Sequence, residues 1–301
     1  MRIAIIGIIN HDTIAMANGQ ELKDLGGILY NTAVLANMVD EKTTLFPVTR
    51  IGEDCHDMMR NILSAHPNVD LSGVAIAPEG TSRNTIRYDA SMEKVEQLTN
   101  HIESIPLEQI EPFLNHEAFL INFIIGDDIS RETMRAIRTR SQGLIYLDVH
   151  NLCLGIDEQG YRFHRTQDRW HEWIEVVDVV QMNEVEASLL AGKEMDTDED
   201  FLAFGKTILD LGPSIYIATR GRLGSVTVYR EATEIKTYIS SSVPIKEVVD
   251  TTGCGDAFAA GFLTDYLVTR DPISATRLAS WAAGVNCTLA GLAEVERFRE
   301  R

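Results

Sequence analysis

The stretch VVDTTGCGDAFAAGFL, Val248 to Leu263, decides how this chain reads. It combines an extended apolar arrival, a turn holding Gly253 and Gly255, and a helix expected to open at Asp256. Glycine lets the backbone turn tightly, and the first turn of a helix leaves amide donors without partners. Those amides sit at the positive end of the helix dipole, which makes the turn a cradle for an anion. Asp256 has two readings beside it. A carboxylate there is an ordinary helix cap, or it is a base that takes a proton from a hydroxyl attacking a bound phosphate.

Outward from that stretch, short apolar runs alternate with longer helical patterns. Strands are expected at Ile3–Ile8, Thr44–Arg50, Ala118–Phe123, Leu144–Asp148, Val177–Met182, Ser214–Thr219 and Ser225–Tyr229. Helices are expected to begin near Gly27, Asp54, Ser130, Asp168, Glu184, Asp198, Asp256 and Pro272. This alternation favours a mostly parallel sheet covered by helices. Two segments break the rhythm, Thr13–Leu25 and Thr81–Gln97, and surface loops are the default for such stretches.

Composition narrows the partners. The 301 residues carry a formal net charge of −18, with 45% apolar and 24% charged residues. That balance is ordinary for a globular protein, and the negative charge argues against nucleic acid or an anionic membrane as partner. A phosphate site must therefore be made attractive locally, by amides, a metal ion and a few basic side chains. Cys55, Cys153, Cys254 and Cys287 show neither metal-ligand spacing nor a disulfide framework, so a reducing, cytoplasmic setting is expected. Met1 leads into RIAIIGII, too short to span a bilayer and without a signal-peptide cleavage site; it reads as a first core strand.

Four further segments bear on chemistry. GIINHD (Gly7–Asp12) places Asp12 just past the first strand, where open parallel sheets keep their ligand crevice. A carboxylate there can hold two hydroxyls of a polyol. GGILYNTAVLA (Gly26–Ala36) lets backbone approach a ligand at Gly26 and Gly27, with Asn31 one helical turn on. In QMNEVEASLL (Gln181–Leu190), Asn183 and Glu186 share a helix face, as in a capping box. ATRGRLGSVTV (Ala218–Val228) reads as strand, glycine turn and strand.

Together these segments resemble the ribokinase family of PfkB-type carbohydrate and nucleoside kinases. VVDTTGCGDAFAAGFL is similar to the family's DTxGAGD signature, with Cys254 where Ala is usual, and the resemblance runs along essentially the whole chain in the same order. It implies a three-layer α/β/α sandwich in one domain, 1–301, with a small, reduced β-lid formed by the segments near 13–25 and 81–97. It implies transfer of the ATP γ-phosphate to a sugar hydroxyl, with a nucleoside as the alternative acceptor. Asp256 would be the base and the amides of Gly253, Cys254 and Gly255 the anion hole. Asp12, Gly27, Asn31 and Asn10 would hold the acceptor. Asn183, Thr219, Gly221, Gly224 and Gly255 would lie along ATP. Glu186 would organise Mg²⁺ through water, and Asp250 and Thr252, with WAAGVNCTLAG (Trp281–Gly291), would flank a monovalent cation such as K⁺. A homodimer through the lid is the implied assembly. IGEDCHD (Ile51–Asp57) resembles IGxDxxG and reads as structural support.

One departure carries weight. Ile28 follows the glycine pair where family members that bind sugar phosphates carry Lys, so an uncharged sugar or nucleoside is expected. Arg83 and Arg87 are the side chains that could restore charge from the lid. Two other classes compete with this reading. A dinucleotide-dependent oxidoreductase would need G-x-G-x-x-G after the first strand, which GIINHD is not. A kinase-shaped sensor without turnover is opposed by the intact Asp256 and Glu186.

Overall fold

The computed structural model describes residues 1–15, 21–88 and 94–300. Its centre is a nine-stranded sheet. In spatial order the strands are Glu234–Ser240, Ser225–Glu231, Ile215–Thr219, Val179–Asn183, Leu144–Asp148, Ala118–Asn122, Arg2–Ile6, Thr44–Ile51 and Val74–Ile76. The seven from Ile215–Thr219 to Val74–Ile76 run parallel. Ser225–Glu231 and Glu234–Ser240 extend the sheet as antiparallel hairpin arms.

The parallel strands are apolar on both faces because helices cover both. Ile3, Ala4, Ile5 and Ile6 are wholly buried, as are Ala118 to Ile121. Each isoleucine, leucine or phenylalanine so buried contributes about 1.5–3 kcal/mol relative to exposure. Helix Ile28–Met38 packs on Cys254–Thr269, which packs on Pro272–Asn286, while Asp198–Leu211 lies against Ile215–Thr219 and Ser225–Glu231. The result is a three-layer α/β/α sandwich. No helix among the described residues is long and apolar enough to cross a membrane.

The two segments that break the alternating rhythm build a second sheet of four strands, Glu21–Leu25, His11–Ala15, Arg83–Tyr88 and Lys94–Thr99 in spatial order. Residues 16–20 and 89–93 of those segments lie outside the described residues. Asp54, in the IGEDCHD stretch, ties the small sheet to the main body. Its carboxylate accepts from the Thr81 amide, the Thr81 hydroxyl and the Arg83 guanidinium. Arg83 is thus paired with Asp54.

Three expectations need correcting. The signature helix opens at Cys254 rather than Asp256, because Gly253 supplies a left-handed N-cap (φ 75°). No helix begins at Asp168: Arg169 takes a positive φ of 56°, and only a single turn, His171–Ile174, follows. The edge strands Val74–Ile76 and Glu234–Ser240 are additional to the expected set. Both are short of buried apolar residues, which is the signal that identifies interior strands.

Candidate active site

The carboxyl ends of the parallel strands converge on one cavity of about 390 Å³. Several of these apolar runs close on a polar residue: AFLIN ends at Asn122, LIYLD at Asp148, VVQMN at Asn183 and IYIAT at Thr219. The last three line the cavity, together with Asn10 and Asp12 from beyond the first strand. The amino-terminal turn of Cys254–Thr269 forms another wall, through Gly253, Gly255 and Asp256. From the small sheet come Ile14, Asn84, Ile86 and Glu96.

Gly253 must be glycine on two grounds. Its φ is left-handed, and a Cβ would lie 2.4 Å from the Tyr30 ring. Gly27 is similar, with φ 65° and a Cβ that would meet the Ile8 carbonyl at 2.1 Å. At both turns the backbone packs too closely on its neighbours to admit a side chain, and both glycines line the cavity.

Asp256 is held by an amide network. Asn122 Nδ2 donates to its Oδ1 at 2.7 Å and to Asn31 Oδ1 at 3.0 Å. Asn31 Nδ2 reaches the Asp256 carbonyl at 3.3 Å. Asn31 is therefore fully buried behind Asp256 rather than on the cavity wall where it was expected. Burial pushes the Asp256 carboxyl up to about 7, against the lowering effect of the Asn122 and Asn31 amides. A group poised there can accept a proton near neutrality.

A carboxylate pair lies nearby. Asp148 is buried, and Gln181 Nε2 bridges it (2.9 Å) to the Gly255 carbonyl (3.1 Å) while Tyr146 OH donates to Gln181 Oε1. Burial raises the Asp148 carboxyl well above its ordinary range, and the Glu186 and Asp256 charges add to this. Burial likewise pushes Glu186 up to about 8. Asn183 and Glu186 do form a capping box: Asn183 Oδ1 accepts from the Val185 and Glu186 amides, and Glu186 accepts from the Asn183 amide and side chain. Capping and cavity lining coexist here, since both residues also face the cavity.

At the acceptor end, Asn10 Nδ2 donates to Asp12 Oδ1 at 2.7 Å, and Gly27 lies beside them. Neither Lys nor Arg lines this cavity among the described residues. Ile28 is wholly buried in the core.

A second cleft of about 700 Å³ opens on the other side of the signature turn. Thr219, Thr251 and Gly255 line both clefts, so the two meet at the start of Cys254–Thr269. Gly221 and Gly224 line only the second, with Val243, Ile245, Phe258 and Ala283 among its apolar walls. Arg220, in the glycine turn, is buried, paired with Asp198 and stacked 4.9 Å over Phe201.

Cys254 departs from its expected part. Its amide donates to the Thr251 carbonyl at 3.2 Å, closing the turn, so that amide is not free for an anion. The amides of Gly253 and Gly255 have no partner among the described residues. The Cys254 thiol instead meets Cys287, Sγ to Sγ 2.8 Å. That hydrogen bond raises the Cys254 thiol and lowers Cys287. Asp250 and Thr252 bond to each other, Thr252 N to Asp250 Oδ1 at 2.9 Å, and the Thr252 carbonyl accepts from Asn286.

Asn122, Asp148, Gln181 and His150 were not singled out in sequence. His150 lines the cavity and its Nδ1 lies 3.1 Å from Asn122 Oδ1. The polar residue that ends an apolar run was the available signal for Asn122 and Asp148.

A model of the pfkB family of carbohydrate kinases matches residues 2–297. The chain is 26% identical to a cytidine kinase of Thermococcus kodakarensis over 268 residues, 88% of each chain. It is 29% identical to a ribokinase of Haemophilus influenzae over 120 residues, 40% of this chain and 38% of that one. Among solved structures, Arabidopsis thaliana ribokinase complexed with ribose and ATP superposes with a TM-score of 0.76 at 20% identity, covering 100% of this chain and 99% of that one. A pyrophosphate-dependent kinase in the ribokinase family, complexed with a pyrophosphate analog and myo-inositol, gives 0.80 at 17% identity over 100% of both chains. At such identities the likeness shows the shared fold.

Proposed function

The chain belongs to the pfkB family of carbohydrate kinases, and from that premise we propose that it transfers the γ-phosphate of ATP to a hydroxyl of an uncharged sugar or nucleoside, with Asp256 as base. The observation that carries this reading is the position of Asp256. It stands at a helix amino terminus where a polar cavity meets a second, more apolar cleft.

The acceptor enters the polar cavity, where Asp12 and Asn10 hold its hydroxyls and Gly27 allows close approach. Asn31 and Asn122 keep the Asp256 carboxylate aimed. ATP occupies the second cleft, its base among Val243, Ile245, Phe258 and Ala283. Its phosphates run past Gly221, Gly224 and Thr219 towards Gly255, with Asn183 beside them. The acceptor oxygen attacks the γ-phosphorus, ADP leaves on the opposite side, and the hydroxyl proton passes to Asp256. Negative charge on the transferring group meets the amides of Gly253 and Gly255 and the helix dipole.

Mg²⁺ fits the donor set. Asp148 and Glu186 are buried oxygen donors on the same cavity, with neither Lys nor Arg lining it among the described residues. They would hold the ion through water, and when bound it screens the charge of the phosphates. Potassium beside Asp250 and Thr252, and a homodimer through the small sheet, belong to the same proposal.

The absence of Lys and Arg from the lining among the described residues favours an uncharged acceptor, since a substrate phosphate would meet no Lys or Arg there to neutralise it. A nucleoside is the second reading. Ile14 and Ile86 give the cavity an apolar side suited to a base, with Asn84 and Glu96 as polar edges. The experiment is ADP release from Mg·ATP across a panel of sugars and nucleosides, with and without potassium. Acceptor-dependent release names the substrate class. ATP binding with silence across the panel would overturn the catalytic reading in favour of a sensor.

A further inference from the structure

Beyond phosphoryl transfer, we propose that Cys254 and Cys287 form a reversible disulfide that staples the anion-binding turn and shuts the kinase off under oxidising conditions. Their sulfurs are already 2.8 Å apart. Closing to a bond needs an approach to about 2.0 Å.

The pair bridges elements far apart in sequence but joined at this turn. Cys254 is the first residue of Cys254–Thr269, and Cys287 caps the end of Pro272–Asn286. Cys287 also holds the other arm of the turn. Its carbonyl accepts from the Val249 amide (2.8 Å) and the Asp250 amide (3.4 Å). Asn286, one residue earlier, reaches the Thr252 carbonyl at 2.7 Å and Cys254 Sγ at 3.5 Å. Drawing the two sulfurs together therefore acts on both arms at once, Val249–Thr252 on one side and Cys254–Gly255 on the other. The amide of Gly253 lies between them and that of Gly255 on the second arm.

The pair is also reachable. Both cysteines line the second cleft, next to Val248, Phe258 and Ala283. A small oxidant can enter there when the cleft is empty, and a bound nucleotide covers it. Cys55 and Cys153 are buried elsewhere in the core and have no sulfur partner among the described residues.

The chemistry balances with a peroxide as oxidant. The Cys287 sulfur attacks one peroxide oxygen; an S–O bond forms, the O–O bond breaks, and hydroxide takes up the thiol proton as water. Cys254 then attacks the Cys287 sulfenic sulfur. The S–S bond forms, the S–O bond breaks, and the second oxygen leaves as water with the Cys254 proton. Two thiols are oxidised and one peroxide becomes two waters. A dithiol reverses the bond by exchange, taking the oxidation onto itself. Catalytic groups misplaced by 1 Å can cost about 100-fold in rate, so a fall in turnover of at least about tenfold is expected.

Formation of the bond is independent of the kinase reading; its effect on turnover and its protection by ATP rest on it. The test treats the full-length protein with hydrogen peroxide and then with dithiothreitol, following intact mass, peptide cross-links and acceptor-dependent ADP release. The expected result is loss of two hydrogens, a Cys254–Cys287 peptide, lost turnover regained with dithiothreitol, and slower cross-linking with ATP present. Cys287→Ser, compared with itself before and after peroxide, should show neither the mass loss nor the reversible inhibition. Oxygen adducts without the cross-link, or reversible inhibition persisting in Cys287→Ser, would overturn the pairing. A quantitative cross-link with turnover intact would overturn the switch while leaving the kinase reading in place.

Discussion

Asn122 Nδ2 stands 2.7 Å from Asp256 Oδ1 and is shared with Asn31 Oδ1, so the carboxylate at the head of the signature helix is aimed by an amide from the middle of the sheet. The amide also opposes the burial that raises Asp256 to about 7. In Asn122→Ala that opposition is gone, and the carboxyl rises further. The acidic limb of the kcat/KM profile should move to higher pH, with turnover at neutral pH falling by about tenfold or more as the aim is lost. A pH–rate series on both proteins checks this; an unmoved limb would separate Asn122 from the base.

The glycines of the turn make a contrasting pair. Gly253→Ala forces a side chain into a left-handed backbone and a Cβ to 2.4 Å from Tyr30, so stability should fall by about 1–3 kcal/mol along with activity. At Gly255 an added Cβ meets only Gln181 Nε2, at 3.7 Å. Gly255→Ala should therefore fold as well as wild type, or about 0.5–1 kcal/mol better, yet lose turnover because the methyl enters the phosphate cradle. Urea denaturation beside ADP release distinguishes them. Equal stability loss in both variants would contradict the assignment.

The buried carboxyls make stability depend on pH in a defined direction. Glu186 and Asp256 bind their protons more tightly folded than unfolded, being raised to about 8 and about 7. Their contribution is full below the ordinary carboxyl range and is lost as pH rises through those values. Without ligand, Tm should fall between about pH 4 and pH 8, less steeply in Glu186→Gln, and Mg²⁺ should raise Tm most at the upper end. Differential scanning calorimetry across that range measures it. Identical slopes in wild type and Glu186→Gln would remove Glu186 from the account.

How much of this was legible in sequence follows the physics of each residue. The interior strands show as unbroken apolar runs, and VVDTTGCGDAFAAGFL points to a turn with a carboxylate at a helix start. The small sheet was harder, because its strands cover a cavity and carry residues such as Asn84 and Glu96 that look like surface. The helix opening at Cys254 was missed since left-handed Gly253 caps with backbone alone, leaving no capping side chain to read. Asn122 acts on helix residues Asn31 and Asp256, and Gln181 on Asp148 of the neighbouring strand, contacts that exist only after folding. Their one local mark is a polar residue inside or closing an apolar run. The Cys254–Cys287 contact has no sequence signature at all.

The most direct test is Asp256→Asn, with ATP and acceptor binding measured by calorimetry alongside ADP release. The account predicts a folded protein that binds both ligands while turnover falls by about 10²–10⁴-fold. Turnover close to wild type in that variant would contradict Asp256 as the base and, with it, the proposed mechanism.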